Sequence, residues 1–106
     1  MPQQEGNVIR DIVEYIRRTN TPPTEWYVGR AENAQVRLFD GHGVHKDVDY
    51  WIYRECFTSG AARRVQQCLI TTYQTDGGLG DLDDKSRFVY AYKKEPHTRD
   101  EGGCVP

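Results

Sequence analysis

The chain has 106 residues, which is enough for one folded domain and too few for two independent hydrophobic cores. Fourteen Lys and Arg against sixteen Asp and Glu give a net charge of -2, so global charge does not draw this protein to nucleic acid, and an anionic partner must meet a local basic patch. Hydrophobic residues make up 37% of the chain, and its seven Tyr, three Phe and two Trp can build a small core, which argues against disorder over the whole length.

The sequence carries no signal for a membrane or for export. No stretch approaches the roughly 20 apolar residues that span a bilayer, and the first residues lack a charged start followed by an apolar run. Cys56, Cys68 and Cys104 form an odd set with no pair at metal-ligand spacing, which suits a reducing compartment better than a disulfide framework. We therefore expect a cytoplasmic protein without a membrane partner.

The first half of the chain predicts two helices separated by a strand. Apolar residues at helical spacing follow Asn7 and predict an amphipathic helix, which stops before Pro22 because proline cannot continue it. Residues 25–28 are aromatic and β-branched and predict a strand that closes on Gly29, where the glycine marks either the strand end or a close approach of another segment. Residues 31–40 then predict a short helix.

The second half predicts two more strands around a long helix. Side chains alternate in the run 49–56, with aromatic residues on both faces, and alternate again over 87–94. Between these strands, Thr58 is a capping residue type, and apolar residues at helical spacing continue towards Gly77.

This order of elements predicts an α/β (α+β) fold in which a small three-stranded sheet is flanked by three helices. We expect one domain over residues 1–106, with an ordered core at about 6–95 and a flexible tail from 96 to 106.

One run of residues resembles a known signature. Trp26-Tyr27-Val28-Gly29-Arg30 is followed by Arg37 and then His42. In this order the residues resemble the second half of the signature of the GIY-YIG nucleases, and the resemblance extends over about residues 25–75. It implies a metal-dependent endonuclease that hydrolyses DNA phosphodiester bonds. Tyr27 would be the general base near the attacking water, Arg37 would hold the scissile phosphate, and His42 would assist by hydrogen bonding or proton transfer.

The strand that carries the first half of this signature is missing before Trp26. A rearranged strand order would replace it, with the C-terminal strand paired beside residues 26–28 and Tyr90 or Tyr92 in the vacant position. We assign Tyr90 to the predicted catalytic set. The nuclease interpretation then requires this tyrosine to converge with Tyr27, Arg37 and the metal position on one concave surface.

The metal position holds the wrong residue type. The family pattern of Ala, three residues and Glu corresponds here to Ala62 and Gln66. Mg²⁺ or Mn²⁺ takes oxygen ligands, and a neutral amide removes the charge that anchors the ion, so metal binding should be weakened or lost. The chain is then a natural inactive descendant, an engineered variant, or an enzyme that takes its acid from elsewhere, for example from residues 81–84.

Basic and aromatic residues indicate the partner. The arginines predicted to surround the site and bind nucleic acid are Arg30, Arg54, Arg63 and Arg64. Exposed Trp51 or Tyr53 would add base stacking. Because no second DNA-binding part is present, we expect single-stranded or structured DNA rather than a specific duplex sequence, with a homodimer as an open alternative. The alternative function is a non-catalytic module on the same fold that binds nucleic acid or a protein.

A second metal pattern is weak. His42 and His45 are three residues apart, with Asp40, Asp47 and Asp49 nearby, but a short His pair without a third fixed ligand is a poor predictor of a transition-metal site. Asp81, Asp83 and Asp84 are expected to form a solvated turn.

Overall fold

The computed structural model describes residues 2–77 and 85–98. Two α-helices, a π-helix and four strands make up the fold. In chain order they are α1 (Glu5–Arg18), β1 (Trp26–Ala31), the π-helix (Val36–Gly41), β2 (Trp51–Glu55), α2 (Ser59–Thr72), β3 (Asp76–Gly77) and β4 (Phe88–Lys93), with a single 3-10 turn at Pro23–Glu25. The predicted α+β class with three helices is confirmed.

The sheet has four strands in the order β2-β4-β1-β3, so the predicted count of three was wrong. The additional strand is β3, whose residues Asp76 and Gly77 pair in parallel with Tyr27 and Val28. An Asp-Gly pair has no intrinsic preference for strands, and the sequence indicated only that the helical pattern ends near Gly77. It becomes a strand because the chain leaving α2 runs along the open edge of β1.

β4 lies between β1 and β2 and pairs antiparallel with both. Gly29 stands opposite Tyr90 in this ladder, and Tyr27 stands opposite Tyr92. The rearranged pairing expected from the sequence, with the C-terminal strand beside residues 26–28, is therefore confirmed. It makes β4 the interior strand that joins β2 to β1.

The helix and strand ends differ from the prediction by a few residues. α1 begins at Glu5, two residues before Asn7, and no side chain caps it. β1 continues through Gly29 to Ala31, because the glycine marks a close approach inside the strand and not its end. Thr58 caps α2 as predicted, since its side chain accepts a hydrogen bond from the Ala61 backbone amide.

Each face of the sheet packs against a different layer. On one face, Trp26 and Val28 of β1 pack with α1 and α2. On the other face, Ala31 of β1 packs with Leu38 of the π-helix and with Tyr90. Because strand side chains alternate between faces, even-numbered and odd-numbered residues of β1 belong to different cores.

Several predictions fall outside the described residues, namely Cys104, the acidic loop with Asp81, Asp83 and Asp84, and the tail beyond residue 98. Residues 95–98 are described and form a closed turn, in which the Thr98 amide donates to the Glu95 carbonyl over 3.0 Å. Within the described ranges, no helix has the length and apolar character to cross a membrane.

Candidate functional site

The structure brings three of the predicted catalytic residues together. His42 lies between two tyrosines, with its Nε2 atom 2.7 Å from the Tyr90 hydroxyl and its Nδ1 atom 3.0 Å from the Tyr92 hydroxyl. The Tyr27 ring lies 5.0 Å from the imidazole and 5.4 Å from the Tyr92 ring, measured between centroids. We call Tyr27, His42, Tyr90 and Tyr92 the Tyr-His cluster.

The Tyr-His cluster is closed to solvent for the most part. His42 is 1% exposed and Tyr90 is 2% exposed, whereas Tyr27 is half-buried. One imidazole can donate one hydrogen bond and accept one, which fits a position between two hydroxyl groups. The arrangement fixes the ring orientation and satisfies buried polar atoms, and Tyr27 is the member that a ligand can reach.

Gly29 makes room for this arrangement. A Cβ atom added at Gly29 would lie 2.3 Å from the Tyr90 hydroxyl oxygen and 2.4 Å from Cζ of the same ring. No residue with a side chain fits there while Tyr90 keeps its position. The glycine that carried the sequence resemblance is thus the residue that lets Tyr90 reach His42.

Gln66, the predicted metal position, lies on the other side of the sheet. Its Oε1 atom accepts a hydrogen bond from Nε of Arg30 over 2.7 Å, and its Nε2 atom donates to the Val28 carbonyl over 3.1 Å. Val28 and α2 belong to the core on the helical face, whereas Tyr27 belongs to the opposite core. The convergence that the nuclease interpretation requires is therefore not present, because β1 separates Gln66 from the Tyr-His cluster.

Arg37 lies on the exposed side of the π-helix, on the same sheet face as the Tyr-His cluster. The Asn33 side chain caps this helical segment by accepting from the Val36 amide over 3.1 Å. The His42 amide bonds to the Arg37 carbonyl over 2.9 Å, which is the wider spacing of a π-helix. This turn points Leu38 into the core and leaves the guanidinium of Arg37 in solvent.

The four arginines predicted to bind nucleic acid do not form one basic surface. Arg30 is buried against Gln66, and Arg63 is exposed on α2. Arg54 forms an ion pair with Asp11 at 3.1 Å, and Arg64 forms one with Glu5 at 2.6 Å. The hydrogen bond and positive charge from Arg64 lower the pKa of Glu5. Asp11 and Glu5 of α1 thus compensate the positive charges of Arg54 and Arg64. The sequence alone does not indicate which acidic residues pair with these arginines.

Half-exposed aromatic rings border the Tyr-His cluster. The rings of Trp51 and Tyr53 on β2 are parallel within 10°, with centroids 6.1 Å apart, and Phe88 of β4 contacts Tyr53 edge to face at 5.9 Å. We call Trp51, Tyr53 and Phe88 the aromatic ledge. Phe39 of the π-helix packs edge-on against Trp51, with ring centroids 5.1 Å apart, and the three rings of the ledge stay half-exposed.

A shallow cleft lies between the aromatic ledge and the residues that precede the π-helix. It has a volume of about 210 Å³ and is lined by Glu32, Asn33, Ala34, Gln35, Tyr53 and Phe88. Gln35 donates to the Tyr53 hydroxyl over 3.1 Å, so amide groups stand next to the aromatic rings. Trp51 and Tyr53 were predicted from the sequence as stacking candidates. Phe88, Asn33 and Gln35 were not predicted, because only the sheet pairing brings them close to these rings.

The two histidines of the weak metal pattern are separated. His42 is committed to the Tyr-His cluster, while His45 is exposed and stacks on His97 with ring centroids 4.2 Å apart. His42 and His45 therefore do not share a site in the structure, because the short loop between them turns one ring inward and the other outward.

Comparisons of the chain with protein-family models, with curated proteins and with solved structures find no match.

Proposed function

We propose that this chain is a GIY-YIG-like domain that binds single-stranded or structured nucleic acid and, with Gln66 in the metal position, does not cleave it. The observation that carries the proposal is the aromatic ledge, where two parallel rings lie half-exposed on the sheet face that the π-helix with exposed Arg37 also covers. Bases of any sequence stack on such rings, and each stacked base contributes about 1–3 kcal/mol.

The charged and amide side chains near the aromatic ledge favour a small area of contact with a nucleic acid. Arg37 is exposed and can pair with a phosphate in a bidentate fork. Asn33 and Gln35 offer amide donors and acceptors to base edges in the cleft, whereas Glu32 on its rim disfavours a phosphate there. We therefore place a base in the cleft, against the rings and the two amides, and assign Arg37 to a phosphate outside the cleft.

The lack of cleavage follows from the position of Gln66. Its amide is neutral, and both ends of it are used in hydrogen bonds to Arg30 and to the Val28 carbonyl. A nuclease of this kind needs a metal-held phosphate beside the tyrosine base, and a strand stands between these two positions here. The proposed relation to the nucleases therefore applies to the fold of the chain. The proposed activity is binding without cleavage.

Binding is tested by fluorescence anisotropy with labelled 20-nucleotide single strands, hairpins and duplexes at two salt concentrations. Tyr53→Leu removes the aromatic face and should weaken single-strand binding about 5- to 100-fold, whereas Tyr53→Phe keeps the ring and should bind like the parent chain. Arg37→Gln should weaken binding and lower the salt slope by about 0.7, whereas Arg17→Gln, an exposed arginine on α1, should change neither. Equal affinities for Tyr53→Leu and Tyr53→Phe, or no binding by the parent chain, would refute the proposal and favour a protein partner.

Cleavage is tested separately with Mg²⁺ and Mn²⁺, comparing the parent chain with Gln66→Glu. We expect no product from either. Cleavage by Gln66→Glu alone would place a metal at position 66 and restore the nuclease assignment. Cleavage by both would require another acidic residue to hold the cation, and either result would refute the assignment of a silent domain.

A further inference from the structure

Three side chains that can bind a metal ion meet at one end of the sheet. His45 and Asp49 lie in the loop before β2, and His97 follows β4. His97 Nε2 lies 2.5 Å from Asp49 Oδ2, and the His45 and His97 rings are nearly parallel, with 15° between their planes. One ligand atom from each residue lies within 4.8 Å of the other two.

The backbone holds these residues close together. Trp51 stands opposite Tyr92, and the Lys93 amide donates to the Tyr50 carbonyl over 3.1 Å, so the two segments leave the sheet side by side. The Asp49 amide donates to the His45 carbonyl over 2.9 Å and closes the turn between them. The cluster is therefore built by sheet pairing and turn closure, and it needs no ion to form.

Asp49 is the oriented member of the set. Its side chain is 6% exposed, and Oδ2 accepts from the His45 backbone amide over 2.7 Å. Burial alone would raise the pKa of this carboxyl, but the hydrogen bonds from the His45 amide and from His97, together with the charges of both histidines, lower it overall. The hydrogen bond from the His45 backbone amide thus fixes the direction of this carboxyl group.

We propose that His45, Asp49 and His97 form a binding site for a divalent transition-metal ion of the Zn²⁺ type. Two imidazoles and one carboxylate are a donor set that such ions prefer, whereas Mg²⁺ and Ca²⁺ prefer oxygen ligands throughout. Both imidazoles are exposed, so a fourth position faces solvent and remains available for water or a ligand.

Small side-chain rotations convert the observed contacts into a coordination shell. Donor atoms about 2.1 Å from a tetrahedral ion stand about 3.4 Å from one another. The Asp49 to His97 contact of 2.5 Å must therefore open by about 1 Å, and the widest separation of 4.8 Å must close by somewhat more. Exposed imidazoles can make these movements, while Asp49 keeps its backbone hydrogen bond. The alternative is a surface ion pair between His97 and Asp49 with His45 stacked on it, and the experiment separates the two.

The test is isothermal titration of Zn²⁺ into the full metal-free chain, followed by titration of Co²⁺ with absorption spectroscopy. We expect one ion per chain and binding at least about 10-fold weaker in His45→Ala and in His97→Ala, since each removes a direct ligand. Asp47→Ala changes an exposed acid in the same loop and should bind like the parent chain. Zn²⁺ should also raise the thermal unfolding midpoint of the parent chain but not of His97→Ala, because the ion stabilises only a folded site.

Cysteine is the competing ligand that the experiment must exclude. A Co²⁺-thiolate bond gives a strong near-ultraviolet absorption band, and a site of two histidines and one carboxylate should lack it. Binding that persists unchanged in both histidine variants, or that shows a thiolate band, would overturn the proposal. The absence of saturable Zn²⁺ and Co²⁺ binding would overturn it as well.

Discussion

Replacing Gly29 with alanine tests whether the close approach of Tyr90 organises the sheet. The new Cβ would lie 2.3 Å from the Tyr90 hydroxyl oxygen, where an ordinary contact begins at 3.4 Å, so the ring must withdraw by about 1 Å. The clashing atoms lie on a ring that is 2% exposed and has little space to move. Movement on this scale also breaks the 2.7 Å hydrogen bond to His42.

Two costs add in this variant. Overpacking of a filled core costs about 1–3 kcal/mol. Loss of a buried hydrogen bond costs about 1–3 kcal/mol more, because His42 keeps an unsatisfied nitrogen. The better strand propensity of alanine offsets at most about 1 kcal/mol. We therefore expect Gly29→Ala to lower the free energy of unfolding by about 1–6 kcal/mol.

Urea unfolding followed by circular dichroism measures this loss. Gly6→Ala is the matched control, since no atom lies within 4 Å of a Cβ at that position in α1, and it should be neutral or stabilising by up to about 1 kcal/mol. In a Tyr90→Leu background the clashing atoms are gone, and Gly29→Ala should then cost less than about 1 kcal/mol. A loss of the same size with and without Tyr90 would refute the reasoning.

Two further predictions concern the helical layer. Thr58→Ala removes the cap of α2 and should cost about 1 kcal/mol in urea unfolding, whereas Thr58→Ser keeps the accepting oxygen and should cost only a few tenths; equal losses would argue against capping. Burial raises the pKa of the Cys56 thiol to about 11, so at neutral pH it should resist alkylation in a Cys68→Ser, Cys104→Ser chain until urea unfolds it. Because the unfolded thiol loses its proton first, with an ordinary value of 9.0, stability present below pH 9 should decline as the pH rises towards 11. Cys56→Ala should lack that component of the decline, and rapid labelling of the folded chain would contradict the assignment.

Local patterns were sufficient where the periodicity was strong. The two long helices, the three longer strands and the Thr58 cap follow from spacing and residue type, because each depends on neighbours in sequence. The sequence also placed the C-terminal strand beside β1, since a tyrosine was missing from the pattern there. Gly29 was recognised as either a strand end or a close approach, and the structure shows the second.

The candidate site depended on information that local patterns lack. Tyr27 and Gln66 fit one signature in the sequence. In the structure they lie on opposite faces of the sheet, because neighbouring side chains along β1 point to opposite faces. Arg54 pairs with Asp11 of α1, which lies 43 residues earlier in the chain, and Arg64 pairs with Glu5. His97 meets Asp49 across 48 residues, through the register of β2 with β4.

The sequence by itself determined the two long helices and the three longer strands, because backbone propensity and amphipathic spacing act over a few residues. Tertiary structure alone decided which side chains share a surface, because strand order and register bring together residues that no local pattern relates. For this protein the difference matters chemically. The tertiary structure places His42 between two tyrosines, pairs Gln66 with Arg30 on the opposite face, and brings His45 and Asp49 close to His97.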